Sequence, residues 1–283
     1  MKARILAVPL AAALLAVSGC SIARNALYAP RTEPIAIAEW TKAQPERLSV
    51  STRDGLILEG FYWPPARADD RDIFIFFHGR GAHQGVGAKY AQYLAAGGDA
   101  ILVASYRGFG GNPGHPSREG LLTDATAFVA KARQLAGPDA RLWFVGHSLG
   151  AAVALQAACT DGHAAGVIAI SAFSDIREAA PPLLRSFLPD QWDNRRTAHC
   201  VTAPLLILQG AEDRIVAPSS AAVLLKSSGG PATAIAIANW AHKPVMQTMG
   251  PWVAEAIEAL AKGEGTPLPP LPEHWAIEGV HRP

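Results

Sequence analysis

The residues best suited to do chemistry are a serine set between two glycines, in the segment Gly146-His-Ser148-Leu-Gly150. This G-x-S-x-G spacing follows an apolar run over 142–145 and precedes an alanine-rich helical pattern over 149–159. A strand that turns at once into a helix brings the backbone close around the serine, and the glycines leave room for that turn. The serine hydroxyl is then exposed at the carboxyl edge of a sheet, where it can act as a nucleophile.

The elements that would position this serine are short apolar runs separated by longer helical patterns. The runs are continuous rather than alternating, which indicates strands of a mostly parallel sheet covered by helices on both faces. Asp54-Gly55 between the first two runs predicts a hairpin, which adds an antiparallel N-terminal edge. The predicted strands are 47–52, 56–63, 73–77, 100–104, 142–145, 167–170, 205–208 and 233–238, and the predicted helices lie near 85–96, 117–136, 149–159, 218–227 and 246–262.

Two further segments accompany the serine motif. Phe76-Phe-His78-Gly-Arg80-Gly follows an early strand, and Gly210-Ala-Glu-Asp213-Arg-Ile-Val-Ala-Pro follows a late one. In this order the motifs resemble those of α/β-hydrolase-fold serine hydrolases, in particular a small-lid subgroup with serine-aminopeptidase-like, esterase-like and thioesterase-like members. The resemblance covers about 47–262 and implies one catalytic α/β domain with the α/β-hydrolase fold.

The resemblance also implies a catalytic triad in the chain order Ser148, Asp213, His242. Asp213 matches the G-x-x-D-x-x-V-x-P turn, from which a buried carboxylate accepts the imidazole N–H. Asp175, after the preceding strand, is the rival acid, because some members of the fold place the acid there. His242 lies between the last predicted strand and the final long helix, and Asn239 just before it stands where the family often has glycine.

An oxyanion formed at the attacked carbonyl needs two backbone N–H donors. One is the amide of Leu149 and, by the family pattern, the other is the amide of Arg80. The Arg80 side chain either contacts a substrate carboxylate or an acid of the lid, or has no direct substrate role. His78 is implied to be an internal brace of its loop. No carboxylate or cysteine cluster accompanies His78 and His83, so the sequence predicts no metal.

A glycine-rich loop, 106–114, invites comparison with a dinucleotide-binding loop. It lacks the G-x-G-x-x-G spacing, and Pro113 and Pro116 prevent a helix from opening there, so no nucleotide cofactor is predicted. The segment instead resembles the D-Y-R-G-x-G-x-S loop of the family, with Ser105 in place of the aspartate and Asn112 in place of the serine.

The region over 176–203 is predicted to be a short lid. Its apolar side chains either line an acyl pocket or pack on the sheet: Leu183, Leu184, Phe187, Leu188 and Trp192. Cys159 ends the nucleophile helix and Cys200 precedes a later strand, so both belong at the lower rim of the sheet. They are either paired in a disulfide or separate small buried hydrophobes.

The N-terminus reads as a targeting segment. A basic start and an apolar run over 5–17, too short to span a bilayer, predict a signal peptide over 1–19. The V-S-G-C sequence that ends at Cys20 resembles a bacterial lipobox, which implies a lipid on Cys20 and a tether over 20–46. An ordinary cleaved signal and an uncleaved anchor are the alternatives. If the source has two membranes, the absence of aspartate after Cys20 implies an outer-membrane address, on the periplasmic face of the cell envelope.

The composition excludes two classes of protein. With 49% apolar and 17% charged residues, the chain can bury a large core and is not disordered. Its formal charge of +1 becomes −1 when 1–19 are removed with Lys2 and Arg4, so no nucleic-acid partner is predicted. The proline-containing tail over 263–283 is predicted to be extended or draped over the surface.

The function predicted from the sequence is hydrolysis of a small-molecule or acylated substrate, an ester or thioester, through an acyl-enzyme on Ser148. The alternatives are a serine peptidase of aminopeptidase-like type and a catalytically silent, lipid-tethered envelope protein. The lipid membrane is the other expected partner, and the oligomeric state is left open.

Overall fold

A computed structural model describes residues 22–32, 40, 44–67, 71–94, 98–137, 139–179, 182–263 and 266–283. Nine strands form one sheet in the order β1-β2-β4-β3-β5-β6-β7-β8-β9. The strands are β1 Glu46–Ser51, β2 Ile57–Trp63, β3 Asp72–Phe77, β4 Ala100–Ala104, β5 Arg141–His147, β6 Gly166–Ile170, β7 Leu205–Gly210, β8 Ala232–Ile237 and β9 Trp275–His281. The helices are α1 over 22–28, α2 Gln84–Ala91, α3 Arg118–Ala136, α4 Leu149–Asp161, α5 Asn194–Cys200, α6 Ser219–Ser227 and α7 Met246–Ala261.

The interior strands are parallel and buried on both faces, as the continuous apolar runs predict. Side chains alternate between two cores because successive residues of a strand point to opposite faces. Along β3, Ile73 and Ile75 join the core that also contains side chains of α3 and α4, whereas Phe74 and Phe76 join the core that contains side chains of α2 and α7. The α/β-hydrolase arrangement is confirmed, including the antiparallel hairpin of β1 and β2.

The C-terminal tail, predicted to lie outside the domain over 263–283, contributes an extended strand to the sheet. Residues 275–281 form β9, which pairs antiparallel with β8 and extends the sheet beyond the predicted domain boundary. Trp275 packs against Trp252 of α7, with ring centroids 5.0 Å apart. The sequence pattern placed the domain boundary at 262 because four of the five prolines lie before this strand, and a half-exposed edge strand lacks the continuous apolar run of a buried one.

The predicted tether over 20–46 also requires correction. Residues 22–28 form helix α1, and Tyr28 of this helix is fully buried against the catalytic domain. The chain therefore docks on the domain only a few residues after the Cys20 position, and Cys20 itself lies outside the described residues. Within the described part of the chain, no helix has the length and apolar character needed to cross a membrane.

The lid is shorter than the 176–203 predicted. Two short 3-10 helices, Ile176–Ala179 and Pro182–Phe187, follow the carboxyl end of β6. Asp193 then caps α5 by accepting a hydrogen bond from the Arg196 amide, and α5 packs against α4 and α6. A parallel connection between β6 and β7 needs such a crossover, so only 176–193 remains for the lid.

Candidate active site

The serine lies at a strained turn between β5 and α4. Ser148 has φ 55° and ψ −118°, a conformation that an L-residue adopts only when its surroundings force it. A Cβ on Gly146 would overlap with the Gly150 carbonyl, and a Cβ on Gly150 would overlap with the Phe77 carbonyl of β3. The two glycines are therefore required by backbone contact, as the spacing of the motif indicates.

Three side chains converge at the carboxyl edge of the sheet. His242 Nε2 lies 3.0 Å from Ser148 Oγ, and His242 Nδ1 lies 2.8 Å from Asp213 Oδ2. Asp213 follows β7, and His242 follows β8, so the two strands that come after β6 in the sheet order deliver the acid and the base. The arrangement places a base within hydrogen-bond reach of a nucleophile and orients that base with a carboxylate.

Asp213 is held as a carboxylate by four donors. Burial raises its pKa, but the Val216 amide, His242 and the Ile215 amide outweigh burial, and the net pKa lies below the ordinary value. Asp213 Oδ1 accepts both amide hydrogens at 2.9 Å, while Gln209 Nε2 donates to Oδ2 at 3.1 Å. Asp213 therefore stays ionised and accepts a hydrogen bond from His242 Nδ1–H, which leaves Nε2 free to accept from the serine.

The rival acid is occupied elsewhere. Asp175 pairs with Arg177 and Arg195, and the hydrogen bonds from Arg177 lower its pKa despite its burial. The structure thus brings Asp213, and not Asp175, to the histidine.

The main chain of His242 is fixed by two side chains whose part the sequence did not reveal. His147 Nε2 lies 2.9 Å from the His242 carbonyl, and Ser171 Oγ donates to the same oxygen at 3.2 Å. Burial lowers the pKa of His147 to about 4, so this imidazole is neutral and its Nε2–H is the donor. Asn239, at the start of the same loop, has φ 58°, a left-handed conformation in which asparagine is tolerated almost as well as the expected glycine.

The loop expected to complete an oxyanion hole lies beside the serine. A Cβ on Gly79 would come 3.4 Å from Ser148 Cβ and 3.1 Å from His147 Nδ1. Within the described residues, no backbone carbonyl accepts a hydrogen bond from the amide of Leu149 or of Arg80. Leu149 is the first residue of α4, where an amide has no partner within the helix. Both predicted donors are therefore available to a negative charge at Ser148.

Contacts of the loop side chains settle two of the open alternatives. His78 is buried, its Nδ1 donates to the Gly79 carbonyl at 3.0 Å, and burial lowers its pKa to about 3, so it braces the loop as predicted. The Arg80 guanidinium donates to the carbonyls of Leu27 and Ala26 at 2.7 and 2.8 Å. Its side chain therefore binds the last turn of α1, and the expectation of a contact to substrate or to a lid acid is wrong.

The two departures from the family loop each have a structural partner. Ser105 Oγ lies 3.3 Å from His78 Nε2 and donates to Gln84 at 2.8 Å, so it supports the brace in place of an aspartate. Asn112 Oδ1 accepts from the Glu59 amide at 2.8 Å, which ties the glycine-rich loop to the N-terminal hairpin.

The predicted acyl pocket does not form from the residues proposed. Leu183 and Phe187 are exposed, at 89% and 78%. Trp192 is buried beneath the guanidinium of Arg118, with which it makes a cation–π contact, and Leu188 is half-buried. The side chain of Leu184 lies outside the described part of the structure. The lid encloses instead a cleft of about 470 Å³ lined by charged and polar side chains: Asp175, Arg177, Glu178, Arg185, Ser186, Gln191 and Arg195.

The cysteine pair is joined. Cys159 at the last turn of α4 and Cys200 at the end of α5 form a disulfide, with their Cα atoms 5.4 Å apart. Of the two alternatives that the sequence left open, the structure has the disulfide, and it ties the crossover helix to the nucleophile helix at the lower rim. Among the described residues, no cluster of three or more His, Cys, Asp or Glu side chains could hold a metal.

Serine, histidine and aspartate joined by hydrogen bonds at the carboxyl edge of this sheet define a hydrolase of the α/β-hydrolase fold. A family model described as "Serine aminopeptidase, S33" matches residues 68–193. An uncharacterised protein of Mycobacterium tuberculosis is 31% identical over 225 residues, covering 77% of this chain and 80% of that protein. A lysophosphatidylserine lipase of Danio rerio is 25% identical and covers 54% of this chain and 49% of the relative.

Among solved structures, an esterase of Pyrococcus furiosus superimposes with a TM-score of 0.64 at 16% identity, covering 82% of this chain and 98% of the esterase. That likeness shows the fold. The family model and the relative in sequence show the family: this chain belongs to the serine aminopeptidase S33-like family of α/β-hydrolases.

Proposed function

We propose that this protein is a serine esterase that cleaves carboxylic ester or thioester bonds through an acyl-enzyme on Ser148. The observation that carries the proposal is the continuous chain of hydrogen bonds from Ser148 Oγ through His242 to Asp213, at 3.0 and 2.8 Å. A serine hydroxyl alone is a weak nucleophile, and a positioned base removes its proton as the bond to carbon forms.

The steps follow from the geometry. His242 Nε2 takes the proton of Ser148 as Oγ attacks the carbonyl carbon, and the amides of Leu149 and Arg80 bind the oxyanion. The intermediate collapses to the acyl-enzyme, and His242 gives its proton to the departing alcohol or thiol. A water molecule then gives a proton to His242 and attacks the acyl carbon, and the reverse collapse restores the Ser148 hydroxyl and releases the acid.

Labelling with a fluorophosphonate tests this proposal, because the reagent modifies only an activated serine. Wild type should be labelled and Ser148→Ala should not. Ser171→Ala should still be labelled, because its hydroxyl donates to the His242 carbonyl, which His147 also holds. An unlabelled but folded wild type would favour the catalytically silent alternative.

A second candidate is amide hydrolysis, which the description of the matching family favours. The preference for esters is supported by the name of the lysophosphatidylserine lipase relative. An aminopeptidase must also bind an α-amino group, and the acids of the lid cleft are engaged: Asp175 by Arg177 and Arg195, and Glu178 by the Ser174 hydroxyl. A panel of acyl p-nitrophenyl esters, acyl thioesters and aminoacyl anilides separates the two activities, and faster turnover of anilides would reverse the preference.

We further propose that Cys20 carries a lipid that anchors the mature enzyme to the periplasmic face of an outer membrane. The lipobox-like sequence before Cys20 supports this, as does the absence of aspartate at the next position. Mass spectrometry of the mature N-terminus should show an acylated Cys20. In a Cys20→Ala variant, the precursor should retain the signal segment and lack the lipid.

A further inference from the structure

Helix α1 is held against the lid by a buried hydrogen-bond network. Tyr28 is fully buried, its hydroxyl donates to Asp190 at 2.9 Å, and Trp192 Nε1 donates to the same hydroxyl at 3.2 Å. Burial, and then the Asp190 charge, raise the pKa of Tyr28, so the phenol remains a neutral donor. Arg24 adds an ion pair to Asp190 at 3.1 Å. The helix and the lid therefore form one packed unit.

The C-terminal end of α1 is also joined to the loop that carries the Arg80 amide. The guanidinium of Arg80 binds the carbonyls of Ala26 and Leu27, and the Gly81 amide donates to the Tyr28 carbonyl at 3.2 Å. A cation at a helix C-terminus is also favoured by the helix dipole. Helix α1 thus bridges the lid and the proposed oxyanion loop.

Chain length places the proposed lipid close to this bridge. Only two peptide units separate Cys20 from Ile22, so their Cα atoms are at most about 7 Å apart. One helical turn from Ile22 to Ala26 adds about 6 Å. The acylated Cys20 would therefore lie within about 13 Å of Ala26, whose carbonyl binds Arg80. So short a connection keeps the rim of the active site at the surface in which the lipid is inserted.

The surface next to this attachment point carries large exposed apolar side chains. Ile22, Leu183 and Phe187 are 70%, 89% and 78% exposed. Phe187 precedes Asp190 by three residues, so the Arg24–Asp190 ion pair brings the first turn of α1 next to the segment that carries Leu183 and Phe187. We call Leu183 and Phe187 the anchor face.

We propose that the anchor face lies against the membrane, with Leu183 and Phe187 immersed in the lipid interface beside the active-site rim. This inference rests on the proposed acylation of Cys20 and names the bilayer as the occupant of the anchor face. Exposed leucine and phenylalanine side chains are stabilised by transfer out of water, and the short connection holds them where that transfer can occur. Ester substrates would then reach Ser148 from the lipid surface.

Site-directed spin labelling tests the orientation on the full acylated chain, reconstituted in phosphatidylethanolamine–phosphatidylglycerol vesicles. Each labelling variant has four cysteines, the three of the natural chain and the one introduced. With Cys20 acylated and Cys159 paired to Cys200, only the introduced cysteine is a free thiol. Nitroxide labels are attached to the introduced cysteines of the variants Leu183→Cys and Phe187→Cys. The matched control is Val280→Cys, an apolar position 55% exposed on β9, opposite Thr233 near the amino end of β8.

Labels at 183 and 187 should be accessible to oxygen and shielded from an aqueous nickel complex, with an accessibility ratio several-fold higher than that of the label at 280. If the acylated protein shows all three labels equally open to the nickel complex, the anchor face does not touch lipid and the proposal is overturned. If the mass of the same sample shows that Cys20 carries no lipid, the premise fails and the proposal is overturned. Fluorophosphonate labelling of these samples reports hydrolase competence separately, so failure of the esterase proposal is distinguishable.

Discussion

Replacement of Asp213 by asparagine tests how the carboxylate controls the histidine. Asp213 Oδ1 accepts the amides of Ile215 and Val216 at 2.9 Å each, so the amide oxygen of asparagine must take that side. The opposite orientation would set an NH₂ group against two N–H donors. The asparagine NH₂ group therefore faces His242 Nδ1, which can hydrogen-bond to it only as an acceptor.

The consequence is the wrong histidine tautomer. With Nδ1 unprotonated, the neutral ring of His242 carries its proton on Nε2, which then cannot accept the Ser148 proton. We expect kcat for a p-nitrophenyl ester to fall by about 10³- to 10⁴-fold, or about 4 to 5 kcal/mol of activation free energy, with little change in KM. Thermal unfolding of the variant confirms that it is folded.

The matched control is the same substitution at the rival acid. Asp175→Asn weakens the ion pairs with Arg177 and Arg195 but leaves the hydrogen bonds of His242 intact. We expect kcat to change by less than about threefold, because no interaction made in the transition state is removed. A folded Asp213→Asn variant that keeps a tenth of the wild-type kcat, or an equally large loss in Asp175→Asn, would refute the assignment of the acid.

Three further perturbations test other parts of the structure. Replacing Cys159 and Cys200 by alanine frees a cross-link between residues 41 apart. Chain entropy then predicts a loss of about 4 kcal/mol in the free energy of unfolding, measured in urea. Gly150→Ala puts a methyl group on a β3 carbonyl oxygen, so fluorophosphonate labelling should fall by at least about tenfold and the Tm should drop. Burial lowers the pKa values of His78 and His147 to about 3 and about 4, below the ordinary 6.5. As the pH falls, these histidines therefore bind protons in the unfolded chain before they do so in the folded protein, and the free energy of unfolding falls below about pH 6.5. At about pH 5 the loss should be about 2 kcal/mol per histidine.

Each of these has an internal control. Reduction of wild type should reproduce the instability of the double cysteine variant, and unchanged unfolding would contradict the stabilising role of the disulfide. Gly162 also lies at an end of α4, but an added Cβ there would meet open space. Gly162→Ala should therefore lose stability and keep its fluorophosphonate labelling. In His147→Gln the stability loss between about pH 7.5 and pH 5 should shrink by about half relative to wild type, and an unaltered loss would show that His147 does not titrate as argued.

Much of the fold can be predicted because it depends on local patterns of apolar and turn-forming residues in the sequence. Strand β4 has the predicted bounds, Ala100–Ala104, since a continuous apolar run between breakers can only be buried in a covered sheet. The nucleophile motif is predictable because it lies between a strand pattern and a helical pattern, although Gly150 is required by contact with Phe77 of the distant strand β3. Asp213 and His242 follow from their motif and their order after the strands, and the structure brings both to Ser148.

Other features depend on contacts between distant parts of the chain, which carry no local signal. Helix α1 meets Arg80 more than 50 residues away and Asp190 more than 160 residues away. Trp192 reads as a pocket residue in sequence but is buried beneath Arg118. The bond from His147 to the His242 carbonyl spans 95 residues and joins groups that only the folded loops bring together.

The sequence by itself therefore determined the sheet and the nucleophile turn, because periodicity and spacing encode short-range geometry, and its resemblance to α/β-hydrolases implied Asp213 and His242 as the partners of Ser148. Only the tertiary structure decided which side chains hold those three in place, that the cysteines pair, and that the N-terminal segment is part of the active-site rim. Packing determines these, because each depends on which surfaces meet when the helices and the final strand close around the sheet.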